Sequence, residues 1–81
     1  MNLNTLDNDF VIRSQDSFNY AVEIRKYYGV IDHVIDWCKE NLSGEWRWQM
    51  VQPSSLNSPG RYIFYFDSDQ DYCVFLLKWK D

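Results

Sequence analysis

The 81 residues, 46% of them hydrophobic and 19% aromatic, are expected to form one compact domain, since a disordered chain lacks the apolar material that offsets ordering entropy. A chain this short buries only about 60–65% of its unfolded surface, so large side chains must carry the core, and fifteen Phe, Tyr and Trp residues are there to do so. Eight Lys and Arg against twelve Asp and Glu leave a net charge of −4, which argues against a binder of phosphate backbones, because such binders cluster cations.

Residues 1–18 are rich in Asn, Asp and Ser, with Phe10-Val11-Ile12 as the one apolar island. They read as an N-terminal arm carrying one short strand, ahead of a single α+β domain over 19–81. Over 20–27, Tyr20, Val22 and Ile24 alternate with Ala21, Glu23 and Arg25, the period of a half-buried strand. Gly29 ends it. The period then changes to that of a helix over 30–42, with Ile31, Val34, Ile35, Cys38 and Leu42 on one face and Asp32, Asp36, Lys39 and Glu40 on the other. Gly44 stands where a helix C-terminus favours glycine.

Trp46, Trp48 and Met50 share one face of a second strand over 46–51. A polar loop, QPSSLNSPG, separates it from a third strand, RYIFYF, at 61–66, so the two read as a hairpin. Ser68 followed by Asp71 ahead of an apolar run has the form of a helix cap and starts a short helix through Val74. Phe75, Leu77 and Trp79 then alternate with Leu76, Lys78 and Lys80 as a fourth strand. The order β-α-β-β-α-β is the ferredoxin-like split βαβ arrangement; without the short helix it becomes βαβββ. In either case one sheet face is short of cover, and aromatic side chains on such a face point to a homodimer or a bound partner.

Motifs for chemistry are absent from the sequence. Asp67, Asp69 and Asp71 have the spacing that opens an EF-hand loop, but Tyr72 replaces its glycine and Lys78 its bidentate glutamate, so no metal is expected. His33 is the only histidine and has no nucleophile spaced to it. Cys38 and Cys73 show neither CxxC nor Cys-His spacing and read as small reduced core residues of an intracellular protein. Glycines 29, 44 and 60 are too far apart to cradle a phosphate, so no nucleotide cofactor and no enzymatic activity are expected. The longest apolar runs, five or six residues, fall far short of the roughly 20 that span a bilayer.

Two readings compete with protein binding. GRYIFYF places Tyr62 and Phe64 where an RNA-recognition module sets its stacking pair, which makes single-stranded nucleic acid the alternative partner, provided both rings are exposed beside Arg47, Arg61 or Lys78. The reversed order of Gly60 and Arg61 and the negative charge count against it. The aspartates at 7, 9, 16, 67, 69 and 71 suggest phosphate mimicry, for which −4 is weak.

The segments GEWRW and GRYIFYFDSDQDYCVFLLKW resemble short proteins of unknown function encoded by tailed phages, which combine an aromatic strand, an acidic turn and a Phe-x-Leu-x-Trp strand. The match covers 46–48, 60–67 and 71–79, about a quarter of the chain. What it implies is a small accessory protein in the cytoplasm of an infected bacterium, binding or inhibiting a host protein or defence complex. Trp46, Arg47, Trp48, Tyr62 and Tyr65 are of the residue types that anchor interfaces and are the candidate partner-binding residues. Alternation puts Arg47 and Tyr65 on the sheet face opposite Trp48 and Phe64.

Overall fold

The computed structural model describes residues 17–80; the island Phe10-Val11-Ile12 and the expected arm strand lie outside the described residues. The chain runs β1 (Tyr20–Lys26), α1 (Val30–Asn41), β2 (Trp46–Gln52), β3 (Gly60–Phe66) and α2 (Asp69–Trp79). The strands form one antiparallel sheet in the order β1-β3-β2. Both outer strands are antiparallel to β3, hence parallel to each other, with α1 as their crossover.

β3 takes the centre because it is apolar on both faces. Tyr62, Phe64 and Phe66 are buried on one side, and Ile63 and Tyr65 are half-buried on the other. The charged Glu23, Arg25, Lys26 and Arg47 belong to the outer strands, where water is in reach. Register places Tyr20, Val22 and Ile24 of β1 and Trp46, Trp48 and Met50 of β2 beside the buried β3 residues. These three rows form the face against which both helices pack.

On α1, Ile31, Val34 and Cys38 are buried, the stripe its helical period requires. Gly29, with φ of 88°, turns the chain into the helix, a conformation open to glycine at little cost. On α2, Phe75 is fully buried, with ring centroids 4.8 Å from Phe64 and 5.0 Å from Phe66. Trp37 joins the helices, its ring 6.3 Å from Phe75 and 6.2 Å from Trp79. Each of these buried rings contributes roughly 2–3 kcal/mol by area, and each well-set ring pair about 0.5–1.5 kcal/mol more.

The fourth strand does not form. Residues 69–79 are helix throughout, well beyond Val74. This stretch satisfies two periods at once: Phe75, Leu77 and Trp79 alternate, while Tyr72, Phe75, Leu76 and Trp79 recur at i, i+3, i+4 and i+7. The cap favours the helical one, since the Ser68 hydroxyl accepts the Asp71 N–H at 3.2 Å. Leu77, which only the strand would bury, is 88% exposed. The domain is therefore α+β with a three-stranded antiparallel sheet and two helices, and helix replaces the last strand of both the ferredoxin-like arrangement and the βαβββ alternative.

Asp71 does not reach back to its own cap, as a capping box would have it. Its buried carboxylate crosses to the α1–β2 connection, accepting the Ser43 N–H at 3.2 Å, the Ser43 hydroxyl at 3.4 Å and the Gly44 N–H at 2.8 Å. That contact, not helix termination, explains Gly44. α1 already ends at Asn41, and a Cβ on residue 44 would lie 3.1 Å from Asp71 Oδ2.

Candidate interaction surface

β2 is an outer strand whose apolar side chains are incompletely covered. α2 sits over β1 and β3, where Tyr72 stacks on Tyr20 at 5.2 Å and Phe75 fills the space above Phe64. The β2 side of the same face lies beyond it. Trp48 stacks on Phe64 at 6.3 Å yet is 41% exposed, Met50 is 53% exposed and Val51 is 41% exposed. Three large apolar residues within four positions of an outer strand are thus open to solvent, more than scattered single exposures.

The main chain of β2 is also turned outward. The Asp67 N–H donates to the Glu45 carbonyl, which makes Glu45 and Asp67 a hydrogen-bonded pair. Alternation then makes Arg47–Tyr65 and Gln49–Ile63 hydrogen-bonded pairs, so the N–H and C=O of Trp46, Trp48 and Met50 point away from β3. The regular edge ends at Met50, because Val51 is an extra residue between Met50, opposite Tyr62, and Gln52, opposite Arg61.

The other outer strand is guarded. Glu23, Arg25 and Lys26 bring charge to β1, Lys80 Nζ donates to the Glu23 carbonyl at 3.0 Å, and Arg61 Nε donates to Glu23 Oε2 at 2.9 Å. The Arg61 hydrogen bond holds the Glu23 carboxyl below the ordinary carboxylate range. Charge, and lysine above all, is how native sheets blunt an edge. β2 carries one charged residue, Arg47, whose guanidinium lies 3.8 Å from Glu45 and donates to the outward Trp46 carbonyl at 3.4 Å, leaving the main-chain groups of Trp48 and Met50 and the Trp46 N–H open.

The five residues proposed from the sequence divide between the two sides of the sheet. Trp48 is on the exposed part of the helix side, and Trp46, half-buried, stacks on Phe64 at 6.5 Å. Arg47 and Tyr65 are half-buried on the far side, where the Tyr65 hydroxyl donates to Gln49 Oε1 at 2.8 Å and its ring lies 6.1 Å from Phe18. Tyr62 is in the core, its hydroxyl donating to Ser54 Oγ at 3.0 Å. Phe64 is fully buried as well. The base-stacking reading required both rings exposed, and neither is. Met50 and Val51 were missed; both are well exposed on the outer strand β2.

Neither cysteine is tuned as a nucleophile. Burial, reinforced by the nearby Asp71 carboxylate, pushes the Cys38 thiol up to about 12, and partial desolvation on the helix surface, with the neighbouring Asp69 carboxylate, raises the exposed Cys73. A thiol reagent is expected to modify the exposed Cys73 in the native protein and Cys38 only on unfolding; equal fast labelling of both would contradict this core. The Cys38 value in the folded protein lies above its ordinary 9.0, so its contribution to stability is complete below pH 9 and is lost as pH rises toward 12. A thermal melt series should show stability falling over that window, less steeply in Cys38→Ala. His33 is exposed on α1.

No helix of the described residues is long and apolar enough to cross a membrane. The chain matches no protein-family model, no curated protein and no solved structure, so its functional reading rests on its own surface.

Proposed function

We propose that this chain is a non-enzymatic protein-binding module that takes up an extended segment of its partner along β2. The observation that carries the reading is the open edge of β2: outward main-chain groups at Trp46, Trp48 and Met50 beside the exposed side chains of Trp48, Met50 and Val51. Strand addition draws affinity from main-chain hydrogen bonds and specificity from alternate side chains, and β2 offers both. Arg47 and Tyr65 would line the far side of the added strand. The resemblance of three segments to short tailed-phage proteins supports a host protein or defence complex as the partner, bound in the cytoplasm of an infected bacterium, although the Phe-x-Leu-x-Trp segment is helical in this chain.

A tagged copy expressed in a bacterial host is expected to retain a defined protein or complex that Met50→Lys loses while keeping its native circular dichroism. Retention of the same proteins by wild type and variant would contradict the assignment to β2.

A further inference from the structure

We infer that the resting occupant of the β2 edge is β2 of a second copy, paired antiparallel about a two-fold axis at Trp48. The inference rests on the strand-addition reading above and adds its regulation: the free protein closes its own recognition strand, and a partner must displace it.

The register follows from the strand. Only Trp46, Trp48 and Met50 present outward main-chain groups before the Val51 bulge. Centring the pair on Trp48 is the one arrangement that uses all of them on both copies, with Trp48 opposite Trp48 and Trp46 opposite Met50 of the second copy. An isologous contact of this kind must be self-complementary. The side chains meet that condition, because Trp46 meets Met50, a favourable sulfur–aromatic pairing, while Trp48 adds area at the axis.

Charge selects the same edge. Two chains of net charge −4 repel, but the segment Trp46–Gln52 contains no carboxylate. In this register Arg47 faces Gln49 of the second copy, so no like charges oppose one another. β1 could not pair this way, since Lys80 and the charges of Glu23, Arg25 and Lys26 occupy it. The result is a six-stranded sheet with strand order β1-β3-β2-β2-β3-β1. A five-residue edge is much smaller than the roughly 20–30 residues a side of a standard interface, so the dimer is expected to be weak enough for an incoming strand to displace.

Light scattering and sedimentation over a concentration series test the inference on the full chain. Wild type is expected to pass from monomer to dimer with rising concentration. Arg47 and Gln49 would form a non-hydrogen-bonded cross-strand pair, where side chains approach most closely, so Gln49→Glu should tighten the dimer and Gln49→Arg weaken it. Each pair occurs twice, giving changes of roughly 2- to 30-fold in opposite directions. Met50→Lys should leave a monomer. A wild type that stays monomeric at all concentrations overturns the inference but leaves the binding-module reading intact if partner capture still needs Met50. A dimer indifferent to Gln49 and Met50 overturns it too. A dimer with the expected responses but no host partner lost on Met50→Lys supports the pairing and sinks the binding module instead.

Discussion

Asp71→Ala is expected to cost about 2–4 kcal/mol, the largest loss from any polar substitution among the described residues. The buried carboxylate accepts from Ser43 N–H, Ser43 Oγ and Gly44 N–H, donors on residues that water still reaches, and hydrogen bonds to a charged acceptor contribute about 1.5–3 kcal/mol. Its negative charge in the first turn of α2 adds about 0.3–1 kcal/mol through the helix dipole. A chain of this length has a total stability of about 4–12 kcal/mol, so the substitution removes a large fraction of it. Asp71→Asn should lose about half as much, because it keeps one acceptor oxygen but turns an amide donor toward another donor. Urea titration followed by tryptophan fluorescence reads both; a loss below about 1 kcal/mol for the alanine variant would mean that water replaces the contact at little cost.

The second large effect separates the helix from the strand at the C-terminal end. Phe75→Ala removes a fully buried ring set against Phe64, Phe66 and Trp37, and aromatic-to-alanine changes in cores cost about 3–5 kcal/mol. Leu77→Ala should change stability by less than about 0.5 kcal/mol, as exposed substitutions do. A strand over 75–79 would place both side chains on one face and make both substitutions costly. Comparable losses for the two variants would therefore overturn α2.

The first four elements were legible because each has one clear period. Tyr20, Val22 and Ile24 could only alternate, and Ile31, Val34 and Cys38 could only share a helix face; the observed bounds differ from those expected by a residue or so. The stretch 69–79 was not legible in this way. Its apolar residues are dense enough to fit both periods, and the choice is made by the Ser68 cap and the fixing of Asp71 to Ser43 and Gly44, contacts 27 and 28 residues apart in sequence. The helix it forms covers β1 and β3 and stops short of β2.

That placement also governs what could be read of the interaction surface. The sequence marked Trp46, Arg47 and Trp48 as interface residue types, and β2 proves to be the incompletely covered strand. Tyr62 has the same chemistry but lies on the central strand, where it is buried, its ring 6.1 Å from Trp48 and its hydroxyl on Ser54. Composition cannot distinguish an aromatic residue under a helix from one beside it. Met50 and Val51 lacked an aromatic ring to draw attention, yet the bulge and the open edge make them part of the surface.

Backbone amide hydrogen exchange across β2 tests the open edge most directly. At low protein concentration the Arg47 and Gln49 amides, which donate to β3, should be protected, while those of Trp46, Trp48 and Met50 exchange rapidly. Raising the concentration should slow the second set alone. Equal protection of all five amides in the dilute protein would show that β2 is already paired within its own chain and would contradict the account.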